Sequence, residues 1–411
     1  LRRQKPQKEN KSQTAAAVTT TLDVAVEKIV SGGYGLGFAD GLTVFVALAA
    51  AGDKLRVRVR EQKGKVAFAE IVEILEPSPE RQTPPCPYFG RCGGCDFQQM
   101  NYAAQLSAKV GIVRDCLQRI GKIDYENEIP IIASPDDLNY RVRAQWHVDA
   151  RRRKLGYFRR HSHDVIDVET CPIAAPALKE KLADLRRNID WEDFSADKPE
   201  IEAATNGTDV SVYSSEIIEP TDEIVFRAEA SGERYYFDAR SFFQGNRFLI
   251  DDLIRAAIGD AEGDAALDLF CGVGLFTLPL ARKFKKVFGV EANEKAIEFA
   301  EKNAEHARLS NIEFTAESVG DFLARRQADL PEVDFLLLDP PRAGAEKETI
   351  YALLRLKPRQ ISYVSCDPAT LARDLRLLTT DYEIESITAV DLFPQTHHVE
   401  TVVRLNIKYK L

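Results

Sequence analysis

A cysteine at position 366 stands in Ser365-Cys366-Asp367-Pro368, directly after the apolar run Ile361-Ser362-Tyr363-Val364. The run reads as a strand and Pro368 as the first position of a helix. The thiol is therefore expected between the carboxyl end of a strand and the amino end of a helix. Partial positive charge there favours the thiolate, the form that acts as a nucleophile. Asp367 opposes this by its charge unless it caps the helix. The competing assignment is a small buried hydrophobe, the usual fate of a free cysteine.

A second group of thiols has ligand-like spacing. Cys86, Cys92 and Cys95 follow the pattern C-x5-C-x2-C, with Cys171-Pro172 far downstream. Four thiolates suit an iron-sulfur cluster or tetrahedral zinc, and the ligand count does not separate the two. Cys116 and Cys271 read as packing residues. Seven cysteines, an odd number in a long chain, argue against a disulfide framework.

Further polar residues sit at the ends of apolar runs. Asp268-Leu269-Phe270-Cys271-Gly272-Val273-Gly274-Leu275 follows one run and opens a helix, and its glycines let backbone approach a ligand closely. Thr277 stands where a dinucleotide fingerprint carries its third glycine, which points away from NAD and toward another adenosine cofactor. Glu291 ends the next run, 23 residues after Asp268, where an acid can bind ribose hydroxyls. Asp339-Pro340-Pro341-Arg342 ends a third run, and the two prolines force the chain to turn and present polar groups.

The elements that must position these residues follow from hydrophobic period. Strands near Ala265, Val287, Ile312, Phe335 and Ile361 alternate with helices opening near Leu275, Asn293, Ser318, Glu346 and Pro368. Such alternation predicts an α/β fold, a doubly wound, Rossmann-like parallel sheet. Residues 384–390 and 401–407 have no helix between them and predict an antiparallel edge. Upstream, residues 22–30, 42–46, 54–60 and 66–75 read as short strands of a small closed, OB-like barrel. The glycine cluster at 31–37 precedes strand pattern and lacks Lys-Ser/Thr, so it reads as a turn and not a phosphate loop. The proline-rich stretch 77–85 is a linker. Between it and the α/β region, 102–120 and 177–187 have helical period, while 140–149 and 154–167 alternate as strands. The expected organisation is a basic flexible tail at 1–18, the barrel at 19–80, a mixed α+β central domain at 86–239 and the α/β domain at 240–411.

The chain has 411 residues, 45% of them hydrophobic, which is enough for two or three domains. No run of eighteen apolar residues occurs, and Leu1-Arg2-Arg3-Gln4-Lys5 lacks the apolar core of a signal peptide, so a cytoplasmic protein with no membrane partner is expected. The net charge of -9 weighs against nucleic acid, but distribution matters more than total. From Arg141 to Arg160 eight basic residues face only Asp149, interleaved with Tyr140, Trp146, Tyr157 and Phe158. That pairing suits either an RNA groove, cations on phosphate and rings on bases, or the solvated face of a β-hairpin.

Six motifs together carry a family resemblance. They are Ser241-Phe242-Phe243-Gln244, Asp268-Leu269-Phe270-Cys271-Gly272, Gly289-Val290-Glu291, Asp339-Pro340-Pro341-Arg342, Ser365-Cys366-Asp367-Pro368 and Phe393-Pro394-Gln395-Thr396-His397-His398-Val399-Glu400. In this order they resemble the RNA 5-methyluridine methyltransferases, the S-adenosylmethionine-dependent uracil-C5 family acting on 23S ribosomal RNA and tRNA. The resemblance implies that Cys366 adds to uracil C6 and that Glu400 removes the C5 proton. It implies that Gln244, Phe270, Glu291 and Asp339 hold S-adenosyl-L-methionine, with Glu291 on the ribose. Leu275 departs from relatives that carry Asn or Thr there, which puts one polar cofactor contact in doubt. His397 and His398 would orient the base or the uracil, or serve local structure.

In the ribosomal-RNA branch, four cysteines arranged like Cys86, Cys92, Cys95 and Cys171 hold a [4Fe-4S] cluster, and the barrel is a TRAM domain. Both additions favour 23S ribosomal RNA as the substrate, with its target uridine flipped out of the stack. A tRNA uridine-54 enzyme is the alternative, since archaeal-type tRNA enzymes carry similar additions. A non-catalytic RNA-binding protein with the same fold is the rival of a different class. No obligate protein partner is implied.

Overall fold

The computed structural model describes residues 20–194, 199–216 and 222–408. The basic tail expected at 1–18 lies outside them.

The first compact unit ends at Pro79. Its strands are β1 (Thr21–Val30), β2 (Tyr34–Ala39), β3 (Leu42–Ala47), β4 (Lys54–Lys63) and β5 (Val66–Glu76), closed into a barrel in the order β1-β2-β3-β5-β4. Alternation along β1 and β4 sends Leu22, Val24, Val26, Leu55, Val57 and Val59 inward, where they meet Val44 and Val46. The glycine cluster is a turn only at 31–33, and its second half is β2. A Cβ on Gly35 would lie 2.7 Å from the Ala49 Cβ, and one on Gly37 would lie 2.4 Å from the Ala25 carbonyl oxygen. Those glycines therefore serve close strand approach, which composition alone makes look like a loop.

The second compact unit comprises Val30–Gly33 and Glu80–Leu411. It opens with helix α1 (Tyr102–Cys116), capped by Asn101, whose side chain accepts from the Ala104 amide at 2.9 Å. A π-helical turn, Leu117–Gly121, follows, and then the two-residue strand β6 (Ile131–Ile132). Strands β7 (Arg143–Asp149), β8 (Lys154–Phe158) and β9 (Val165–Asp167) come next, then α2 (Pro176–Asn188), β10 (Glu200–Thr205) and β11 (Val210–Tyr213). These five strands make a sheet in the order β11-β10-β7-β8-β9, and its core holds Trp146, Leu178, Leu182 and Ile201. A ribbon, β12 (Ile224–Arg227) with β13 (Arg234–Phe237), and α3 (Ile250–Ile258) lead into the main sheet.

That sheet is built from β14 (Gly263–Leu269), α4 (Thr277–Ala281), β15 (Phe284–Glu291), α5 (Glu294–His306), β16 (Ile312–Ala316), α6 (Val319–Arg326), β17 (Phe335–Leu338), α7 (Lys347–Leu356), β18 (Gln360–Ser365), α8 (Pro368–Leu378), β19 (Tyr382–Val390) and β20 (Glu400–Ile407). Its order is β16-β15-β14-β17-β18-β20-β19-β6. Strands β14 to β18 run parallel, and β20 inserts antiparallel between β18 and β19. The antiparallel pair expected from the sequence is present, but β6 and not β19 forms the edge. Two residues carry no period, so nothing in the sequence announces β6. Cores lie on both faces of the sheet, and all four residues of β17 are buried, the pattern of a strand covered on both sides.

Candidate active site

Strand register brings the singled-out residues to one edge. Leu269 pairs with Val290 on one side and Leu338 on the other, so Phe270, Glu291 and Asp339 leave adjacent strands together. Leu338 pairs in turn with Tyr363, two residues before the end of β18. Across the antiparallel seam Ser365 pairs with Thr401, and the next positions outward are Cys366 and Glu400. The crevice outside the carboxyl ends of such a sheet is where ligands bind.

On one side of the crevice, Phe270 has φ 64°, a left-handed conformation that non-glycine residues adopt at a cost. Gly272 follows at φ 54°, and a Cβ there would meet no atom within 4 Å, so backbone is bared to the crevice. The Glu291 carboxylate accepts from the Gly272 amide at 3.2 Å and the Asn293 amide at 2.9 Å. Gln244 donates to Asp339 at 3.3 Å. Burial raises the Asp339 carboxyl to about 7 against the bond from Gln244. Leu275 is buried in the core, so its side chain offers the crevice no polar contact.

Asp268 was legible as the opening of a motif but not as a site residue. It is fully buried, accepts from the Thr277 hydroxyl and has one carboxyl oxygen without a partner among the described residues. Burial, with Asp339 and Glu291 nearby, raises it to about 8. Three acids thus converge under the glycine turn, and burial disfavours the charged forms of Asp268 and Asp339.

Asp367 caps α8, accepting from the Ala369 and Thr370 amides at 2.8 and 2.9 Å. The thiol nevertheless departs from its expected behaviour. Burial pushes Cys366 up to about 12, and Glu400 and Asp339 add to the shift while Arg342 opposes it. Desolvation beside carboxylates outweighs the helix end, which acts weakly and at short range. Glu400 is itself buried and raised well above the usual carboxylate range by burial and Asp339. Its Oε1 has no hydrogen-bond partner among the described residues. Nearby, burial drives His398 down to about 3, so its ring is neutral.

Cys86, Cys92, Cys95 and Cys171 share one cavity of about 280 Å³, which Arg141, Arg159 and Arg160 also line. Burial and mutual proximity raise Cys86, Cys95 and Cys92, the last to about 11. Among the described residues no group of three or more His, Cys, Asp or Glu side chains is arranged to hold a metal ion. The iron-sulfur central domain expected from the sequence therefore has its cysteines gathered but no preformed ligand set.

The basic hairpin also departs from expectation. Tyr140 and Trp146 are core side chains, with the Tyr140 hydroxyl donating to the Pro394 carbonyl at 2.9 Å. Phe158 stacks on His147 at 3.6 Å. Arg143 donates to the carbonyls of Ala239 and Ser241. Rings alternating with cations along a strand are the inner and outer faces of a half-buried sheet. Arg151, Arg152, Arg153 and Arg159 stay exposed and remain available to phosphate.

A doubly wound sheet with a glycine turn, acids and a thiol at the carboxyl ends of its strands has the methyltransferase fold. Comparison with known proteins narrows this. The family model for tRNA (uracil-5-)-methyltransferase matches residues 220–408. An RNA methyltransferase of Aquifex aeolicus is 34% identical, covering 94% of this chain and 99% of its own. The 23S rRNA (uracil(1939)-C(5))-methyltransferase RlmD of Pectobacterium atrosepticum is 31% identical, covering 94% of each. The crystal structure of Pyrococcus abyssi tRNA (uracil-54, C5)-methyltransferase in complex with S-adenosyl-L-homocysteine matches with a TM-score of 0.71 at 27% identity, over 93% of this chain and 100% of that one. The chain belongs to the RNA uracil-C5 methyltransferase family, whose methyl donor is S-adenosylmethionine.

Proposed function

We propose that this enzyme methylates C5 of a uridine in 23S ribosomal RNA through a covalent bond between Cys366 and C6. The observation that carries this is the facing of Cys366 and Glu400 across the β18–β20 seam, with a Glu400 carboxyl oxygen that has no partner among the described residues. Uracil C5 is too weak a nucleophile to take a methyl group unaided. Cys366 gives up its thiol proton to solvent and adds to C6 as the thiolate, the C5–C6 π pair moving onto C5 and the C4 oxygen so that C5 becomes an enolate carbon. Gln244, Phe270, Glu291 and Asp339 would hold S-adenosylmethionine, which would give its methyl to C5 and leave as S-adenosylhomocysteine. Glu400 then takes the C5 proton; the C5–H electron pair restores the C5–C6 double bond and expels the thiolate. Arg342, which opposes the rise of both acids, is suited to easing loss of the Cys366 proton.

Two further assignments belong to this proposal. The four-cysteine cavity holds a [4Fe-4S] cluster with a structural role, supported by the shared cavity and by arginines whose charge suits an anionic centre. Cys86, Cys92, Cys95 and Cys171 would be its ligands. The barrel and the exposed arginines capture the RNA, as a TRAM-like module would.

RNA containing 5-fluorouridine tests the chemistry, because fluorine at C5 cannot leave as a proton. The enzyme should accumulate a methylated adduct that survives denaturation, and Cys366→Ala should abolish it. A protein that only binds RNA would form none. Mapping 5-methyluridine in ribosomal RNA and tRNA from cells lacking the gene decides the substrate: loss from tRNA alone would favour the uridine-54 alternative, which the Pyrococcus structure's likeness supports.

A further inference from the structure

Nothing in Glu400's own bonding explains its aim, since one carboxyl oxygen has no partner among the described residues. The backbone that leads into it does. Residues 391–399 are fastened at each polar turn. Asp391 forms a buried pair with Lys109 and accepts from the Tyr102 hydroxyl at 2.9 Å, while Lys109 also donates to the Phe393 carbonyl at 2.9 Å. Gln395 sits at φ 68° and exchanges two bonds with Gln105, at 2.9 and 3.0 Å. Its carbonyl accepts from the Asp96 and Phe97 amides, both at 3.0 Å. The last grip before Glu400 is a carboxylate: Asp96 Oδ2 lies 2.6 Å from His397 Nδ1, while Arg160 holds Oδ1 at 2.5 Å. The His397 ring lies 4.2 Å from that of His398, two residues from Glu400.

We infer that Asp96 is a positioning residue: through His397 it fixes the backbone of residues 397–399 and so aims the Glu400 carboxyl at the C5 hydrogen. This rests on the proposal that Cys366 and Glu400 perform the chemistry. Proton removal is the last step, after the sulfur–C6 bond has formed and the methyl has moved. A misaimed carboxyl slows that step alone. The C5–H pair is then not released, the sulfur–C6 bond does not break, and a methylated adduct persists on ordinary uridine.

The test compares Asp96→Asn and His397→Asn with the parent on a uridine transcript that the parent methylates and on its 5-fluorouridine counterpart. Expected are about tenfold slower turnover, since small misplacements of a reacting group are costly, a KM for RNA within about twofold of the parent, and a denaturation-stable adduct on the uridine transcript. Adduct formation on the fluorouridine transcript should match the parent within about twofold. A general loss of structure would slow that earlier step too. Turnover at the parent's rate in both variants, or adduct formation on fluorouridine RNA falling as far as turnover does, overturns the inference. Should Asp96→Asn prove insoluble, His397→Asn, outside the cysteine turn, decides alone. Persistence of the adduct in Cys366→Ala would instead sink the underlying chemistry and leave the positioning question moot, so the two failures are distinct.

Discussion

The crevice thiol and the cavity thiols share one property and differ in what surrounds them. Burial raises Cys366 and Cys92 alike, to about 12 and about 11. Around Cys366 the neighbours are carboxyl groups, Glu400 and Asp339, with Arg342 opposing. Around the cavity they are other thiols and three arginines. A single thiol between acids suits proton exchange, whereas thiols facing one another gain by sharing a cation. On the proposed roles, number and company of the sulfurs, more than their acidity, separate a nucleophile from a ligand set.

The comparison breaks first at Cys366. A thiol raised to about 12 has a thiolate fraction that climbs tenfold per pH unit, so its alkylation by iodoacetamide should speed up about 100-fold between pH 8 and 10. An ordinary thiol would gain only about fourfold over that range. Peptide mass spectrometry reads the rate at this residue. Glu400→Gln removes one raising neighbour and should increase the rate at pH 8.

Next comes the cavity. Protein purified without air should carry about four irons per chain and a brown colour. Cys171→Ser should lose most of that iron and lower the melting temperature by several degrees, because metal binding to a folded site is folding free energy. A colourless protein with one zinc would replace the cluster by a mononuclear site.

A smaller effect belongs to the acids under the glycine turn. Asp268 and Asp339 titrate at about 8 and 7 when folded, against about 3.9 when unfolded. Between those values the folded state binds more protons than the unfolded state. Stability contributed by the two groups is therefore complete below about pH 4, falls as pH rises to about 8 and is flat beyond. Asp268→Asn should raise unfolding free energy at pH 8.5 by about 2 kcal/mol and leave it unchanged at pH 4, after allowing for relaxation around the site. Equal shifts at both pH values would show that titration is not the cause.

The smallest effect is expected from Arg151, Arg152 and Arg153. Replacing all three by Ala should weaken RNA binding uniformly and reduce its logarithmic salt slope by about 2. An unchanged slope would remove this turn from the interface.

Most of the main sheet was legible because its signals are local. Apolar runs ending in Glu291 and Asp339 placed those residues at strand ends, and Pro368 announced α8; the run before Asp268 extends two residues further than it read, to Leu269. The antiparallel pairing of β19 with β20 followed from the missing helix. Glycine misled at Gly35 and Gly37, where the need is clearance and not turning, and β6 was too short to show a period. The hairpin aromatics misled because alternation looks the same whether a ring faces a ligand or a core.

From its sequence alone, then, this protein has a Rossmann-like sheet with its chemistry at the carboxyl edge, since hydrophobic period, glycine and proline act within a few residues of themselves. Only the folded chain sets Cys366 opposite Glu400 and Asp96 against His397, a contact spanning 301 positions. It also reverses the expected acidity of Cys366, because burial and the charges of distant segments decide a pKa and neither is written in the neighbouring residues.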